Sequence, residues 1–205
     1  MRKKLKFKKL LNEYRSLEYE LQYVKEVLLT ANRDFDIYYR DYCDRKKINI
    51  PQLEKENRPT VDSLLKKPAI EKEKVEEVIR AKEYDHKTIF REIARKLHPD
   101  KLAPDDSRFS EFEEAFKKAN NAIKTGQWGG LFDVAEKYDI DIKEYDEVNE
   151  SIKKDISRLK GLIHKEKTTY AWKLFNCEES GVCKDNVIKQ FLKHLFNYTV
   201  NEIVI

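Results

Sequence analysis

The chain has 205 residues, of which 42 are basic and 38 acidic, leaving a net charge of only +4. At 39% charged and 40% hydrophobic, with five glycines and five prolines, it has too few turn residues for a sheet protein and reads as all-α, with long solvated helices. No apolar run approaches the ~18 residues of a membrane span, and the mixing of signs argues against a nucleic-acid footprint.

The first predicted element is long. Phe7, Leu10, Tyr14, Leu17, Leu21, Val24, Leu28, Ala31, Phe35, Tyr38 and Tyr42 follow one another at gaps of three and four. That is the seam of a coiled coil, too narrow to fold alone. The segment 1–45 therefore reads as a coiled-coil helix needing a partner stripe. Tyr, Phe and Ala suit a regular parallel dimer poorly, so an antiparallel partner within the chain is set beside a homodimer. The basic start, "MRKKLKFKKL", lacks the apolar stretch of a signal peptide and reads as the solvated beginning of that helix.

Residues 46–69 carry Pro51, Pro59 and Pro68 and read as an extended linker with at most one short turn. Helical spacing resumes near Ile70, with Val75, Val78 and Ile79 apolar. From Lys87 to Leu97 the sequence has two faces. Ile89, Phe90, Ile93, Ala94 and Leu97 form an apolar stripe, while Lys87, Arg91 and Arg95 recur every fourth residue, with Lys96 beside them. Pro99 cannot continue a helix and biases His98 away from helical backbone, so the helix is expected to stop near Leu97 or His98. The result is an exposed corner presenting His98 and Asp100, splayed by the proline, with Lys101 following.

Phe109, Phe112, Phe116, Ala119 and Ile123 set a second helix that closes an antiparallel hairpin with the first. "TGQWGG" breaks the chain, and Leu131, Val134, Ala135 and Tyr138 mark a short helix after it. Tyr145, Val148, Ile152, Ile156, Leu159 and Ile163 form another long stripe, the candidate partner for the first. Val187, Ile188, Phe191, Leu192, Leu195 and Phe196 share the face of a last helix, with Asp185 as its expected N-cap. The aromatic residues Tyr170, Trp172, Phe175, Phe191 and Phe196 are expected to pack as core, with a partner groove as the sharper alternative. Cys43, Cys177 and Cys183 are odd in number and form no CxxC pair, so reduced thiols in a cytoplasmic setting are expected, with no metal site and no cofactor.

The stretch "FREIARKLHPD", followed by "FKKANNAIKTG", resembles the J-domain of DnaJ-type co-chaperones, over about Ile70 to Ile142. Order, spacing and tripeptide agree together. The continuation "GQWGGLFDVAEKYDID" is similar to that of J-domains placed late in bacterial and viral chains. The resemblance implies a J-domain over 70–142, which with the periodicity gives four segments: the 1–45 helix, the 46–69 linker, that domain and a C-terminal helical arm over 143–205. It further implies that His98, Pro99 and Asp100 engage a DnaK-type chaperone and stimulate its ATP hydrolysis. On the same footing, Lys87, Phe90, Arg91, Lys96 and Lys101 line the chaperone-facing side, while Ile93, Phe116 and Ala122 pack the hairpin. Glu92 and Arg95 depart from the family pattern, and the usual first-helix motif is absent. The arms are left to hold a protein client.

Read as chemistry, His98 and Asp100 have no nucleophile, oxyanion donor or metal set nearby, so no catalytic residues are expected and the chain is not an enzyme. The rival reading is a coiled-coil scaffold or adaptor with a degenerate J-like hairpin. Nucleic-acid binding through the basic helices is disfavoured by the interleaved Glu111, Glu113 and Glu114.

Overall fold

In the computed structural model the described residues are 2–56, 83–101 and 105–200, and they form an all-helical protein. The elements in chain order are α1 (Arg2–Arg45), α2 (50–56), α3 (Glu83–Leu97), a single 3-10 turn (Pro99–Lys101), α4 (Phe109–Thr125), α5 (Gly129–Lys137), α6 (Tyr145–Lys167), α7 (Tyr170–Phe175) and α8 (Gly181–Phe196). No helix among them is long and apolar enough to cross a membrane. The expected helix around Val75 to Ile79, most of the 46–69 linker, and Leu102 to Pro104 lie outside the described residues.

The chain divides into two compact units, each built from separated stretches of sequence. The first takes the described residues of Met1–Glu20 and Glu71–Gly161; the second takes those of Leu21–Ile70 and Leu162–Ile205. α1 and α6 contribute to each.

In the first unit, the start of α1 lies along α6. The Lys3 ammonium pairs with Asp146, Phe7 meets Tyr145 edge-on at 5.5 Å, and Lys160 reaches Glu13 at 2.6 Å. Residue numbers rise together along this contact, so the two helices run parallel, not antiparallel. About one hundred residues separate α1 from α6, enough chain to return to the same end. Phe7, Tyr14 and Leu17 are buried as the seam requires, but so is Leu11, which widens the stripe beyond a two-stranded coil.

α4 packs on both α3 and α5. Its buried face is the alanine row Ala115, Ala119 and Ala122, with Phe112 and Phe116 flanking it half-buried. Small side chains on that row let neighbouring backbones come close. α4 ends at Gly126, whose φ of 67° is the left-handed conformation that glycine adopts freely. Its N–H donates to the Ala122 carbonyl, as the "TGQWGG" break leads one to expect. At the other end, Asp106 accepts the Arg108 N–H at 2.8 Å and pairs with the Arg108 guanidinium. Those bonds hold its carboxyl down to about 2.

Five charged side chains tie α1 to α4 and α5. Asp133 of α5 accepts from Arg15 of α1 at 2.5 Å and from Lys118 of α4 at 2.7 Å. Arg15 also reaches Glu136 at 2.9 Å, and Lys118 reaches Glu18 at 3.0 Å. Burial alone would raise the Asp133 carboxyl, but Lys118 and Arg15 outweigh it and hold it below the usual carboxylate range.

In the second unit, Tyr39, Tyr42 and Cys43 of α1 share a core with Leu174, Val187, Ile188, Leu192 and Phe196. Phe191 takes Phe35, Tyr39, Tyr170 and Phe196 around its ring at centroid distances of 5.0 to 6.2 Å, all edge-on. Such pairs are worth about 0.5–1.5 kcal/mol each beyond area burial. The aromatic cluster is therefore mainly core, with Trp172 half-buried and Phe175 exposed at its margin.

Three sequence expectations change here. Residues 50–56 are helical, not extended. Asn49 Oδ1 accepts the Gln52 N–H at 3.2 Å, and Pro51 sits in the first turn, where its missing N–H costs nothing. The N-cap of α8 is Ser180, whose hydroxyl accepts from the Cys183 N–H; Asp185 lies inside the helix and takes a 2.7 Å hydrogen bond from the Tyr38 hydroxyl. Finally, Cys177 and Cys183 are joined in a disulfide instead of standing as free thiols, while Cys43 remains free and buried. With no CxxC spacing to announce it, only the turn between α7 and α8 brings the two sulfurs together.

Gly129 gives the first prediction, because a Cβ there would overlap the ring of Tyr14. Gly129→Ala should cost about 1–3 kcal/mol in urea unfolding, as overpacking does. Gly161→Ala, with nothing within 4 Å, should stabilise by roughly 0.5–1 kcal/mol through helix propensity. Equal effects from the two would contradict this packing. Asp133 gives the second. A carboxyl lowered in the fold adds stability above its unfolded pKa and loses it as pH falls through the folded one. The acid limb of the stability profile should therefore flatten in Asp133→Asn, and an unchanged limb would show that the network carries no linkage.

Candidate functional site

α3 delivers the corner. Ile89, Ile93 and Leu97 are buried on one face, so the opposite face is left to solvent. Contacts between α3 and α4 run in opposite directions: His98 meets Phe116 near one end, and His86 meets Trp128 near the other. The two helices form the antiparallel hairpin, and His98–Asp100 stands at its turn.

α3 stops as the proline requires. The His98 N–H still donates to Ala94, and the Lys101 N–H returns to the His98 carbonyl at 3.0 Å, closing the 3-10 turn over Pro99. The Lys101 ammonium reaches back to the Arg95 carbonyl, one of the acceptors left unpaired at the helix end. A cation there also opposes the negative end of the helix dipole. Lys101 is thus part of the corner's own construction, a role that its lysine identity alone did not reveal.

The proline does not splay the two signature side chains. His98 Nδ1 lies 3.4 Å from the Asp100 carboxylate and accepts the Asp100 N–H at 3.3 Å. The tight 3-10 turn folds residue 100 back toward residue 98, which an extended reading of His-Pro misses. Exposure differs between them: the Asp100 side chain is 87% exposed, and that of His98 42%. The imidazole rests against Phe116 at 5.1 Å, and the same Phe116 ring stacks with Phe90 at 6.0 Å. Phe90 and Phe116 form a half-buried floor on which His98 is held.

The basic residues separate. Lys87 and Arg91 are exposed on the outer face, one turn apart. Arg95 continues that row but pairs with Glu92 at 2.6 Å, which offsets its charge. Lys96 does not join them. It donates to the Tyr138 carbonyl at 2.5 Å and sits on the rim of a groove of about 590 Å³ between Thr88, Ile89 and Glu92 on one side and Ile140, Lys143 and Val148 on the other. Nine positions after Lys87 at 100° each, Lys96 is half a turn away around the helix, so no local sequence count could put both on one face.

Phe116 supports two members of the corner at once. Phe116→Ala should cost about 2–3 kcal/mol in urea unfolding, less than the ~3–5 kcal/mol of a fully buried phenylalanine because the ring is only half-buried. Arg91→Ala, on the open face, should change stability by less than about 0.5 kcal/mol. If Phe116→Ala were equally mild, the floor beneath His98 would not be structural. No family model, curated protein or solved structure matched this chain.

Proposed function

We propose that the chain is a J-domain co-chaperone that recruits a DnaK-type chaperone and stimulates its ATP hydrolysis, while its helical arms hold a protein client. The observation that carries this reading is the His98-Pro99-Asp100 tripeptide at the turn of a packed antiparallel hairpin, beneath an outer face bearing Lys87 and Arg91.

The division of labour follows from the chemistry of each group. Lys87 and Arg91 are cations on a solvated face, suited to steering an acidic partner surface into register. Asp100 is the most open acceptor of the corner, and the His98 imidazole is held in place against Phe116. Neither residue needs to move or react. A contact that completes a partner's active conformation asks only for fixed donors and acceptors, and the 3-10 turn fixes them. Phe90 and Lys101 serve as support, the first under His98 through Phe116 and the second at the end of α3. Lys96 is assigned to the groove side and not to the chaperone face.

Mutants should separate the two jobs. His98→Gln or Asp100→Asn should reduce stimulated ATP hydrolysis to the chaperone's basal rate, with the thermal midpoint almost unchanged. Arg91→Glu should weaken binding instead, most strongly at low salt, where steering is least screened. The assay is single-turnover hydrolysis by a DnaK-type chaperone with each variant titrated in. Full stimulation by His98→Gln would leave the scaffold reading standing in place of this one.

A further inference from the structure

The disulfide joins two unequal sulfurs across a turn that does not need it. Cys177 follows α7 and is buried in the second unit's core beside Leu174 and Ile188. Cys183 is the third residue of α8 and is half-buried. Only six positions separate them, and the turn between is already closed by backbone hydrogen bonds. The Cys177 N–H donates to Leu174, the Glu178 N–H to Phe175 and the Ser180 N–H to Cys177, at 3.0 to 3.2 Å. α8 is anchored further along by Val187, Ile188, Leu192 and Phe196. A bridge over so short a loop removes less chain entropy than one closing a long loop. Permanent stapling is therefore a weak reason for it.

The two sulfurs also differ in reactivity. A thiolate at Cys183 would sit in the first turn of α8, where unpaired N–H groups and the positive end of the helix favour an anion. Ser180 takes the Cys183 N–H, and Lys184 follows it in sequence. Glu178 and Glu179 oppose this charge from the turn, but both are exposed and screened. Cys43 has none of these features: it is fully buried, and burial pushes its thiol up to about 11.

We propose that Cys177–Cys183 is a reversible thiol–disulfide exchange site, with Cys183 as the sulfur that meets an external partner of the glutathione class and Cys177 as the resolving sulfur. In the oxidising direction the Cys183 thiolate, its proton lost to water, attacks oxidised glutathione, forms a mixed disulfide and releases one glutathione thiolate. The Cys177 thiolate then attacks the Cys183 sulfur, forms the internal bridge and releases the second. Two thiols are oxidised and one external disulfide is reduced to two thiols. Reduction retraces the path: an external thiolate attacks the Cys183 sulfur, the more accessible of the two, and expels Cys177, and a second frees Cys183.

The test uses the full chain in native buffer. Wild-type protein is exposed briefly to reduced glutathione, alkylated, and its cysteine peptides are identified by mass spectrometry. Cys177 and Cys183 should both be alkylated, and Cys183 about tenfold faster than Cys43. Oxidised glutathione added to reduced Cys177→Ser should trap a mixed disulfide on Cys183, while Cys183→Ser should take up none. A bridge that resists glutathione until the protein is unfolded would overturn the proposal, as would adduct formation on Cys43. Circular dichroism checks each variant's fold, and the wild-type measurement decides the matter if either variant misfolds.

Discussion

The ring of Tyr14 lies where any side chain at position 129 would have to go, and the N–H of that glycine is claimed from below by a buried carboxylate. Asp155 of α6 is 5% exposed and accepts the Gly129 N–H at 2.7 Å, at the start of α5. α1, α5 and α6 therefore meet at a single backbone position. Burial raises the Asp155 carboxyl, and the Gly129 N–H and Arg158 work against that rise. The helix N-terminus gives the anion a partner where water cannot. The direction in which α5 leaves the "TGQWGG" turn is set by this meeting, and α4, capped by Gly126 just before, is set with it.

The hairpin that carries His98–Asp100 is thus braced, not pendent, within the first unit. Arg15 and Glu18 reach from α1 to Asp133, Glu136 and Lys118, and Tyr14 gives its hydroxyl proton to Glu18 at 2.5 Å. Individually such pairs are modest, between exposed and fully buried bridges. As a network they fix the register of α1 against α4 and α5, which apolar contact with alanine-rich faces would leave free to slide. The contribution of the arm to the corner is rigidity at its base.

Much of this was legible in the sequence, and the exceptions have physical causes. The three-and-four spacing from Phe7 to Tyr42 marked the buried stripe of α1, because helical periodicity depends only on local geometry. The direction of its partner was not legible: Tyr145–Ile163 offers the same stripe read either way, and the direction shows only in contacts such as Lys3–Asp146 and Lys160–Glu13, 143 and 147 positions apart. The end of α3 followed from Pro99. The approach of Asp100 to His98 did not, since a 3-10 turn after proline is a matter of a few backbone angles. Lys87, Arg91 and Lys96 look alike as letters, but helical geometry turns Lys96 half a turn from Lys87, and the Tyr138 carbonyl holds it there. The Cys177–Cys183 bond was hidden for a similar reason: spacing suggests ligands and motifs, while a disulfide needs the turn.

In the proposed function, His98–Asp100 and the Lys87–Arg91 face are the surface that a DnaK-type chaperone meets. Amide chemical-shift mapping of the full chain, titrated with an ATP-bound chaperone, tests it most directly. The expected result is perturbation concentrated at His98–Lys101 and along Lys87 and Arg91, with the amides around Tyr138 and the Lys96 side unaffected. Perturbations confined to α1 and α6, leaving the corner silent, would contradict the claim and assign the chain's contacts to its helical arms.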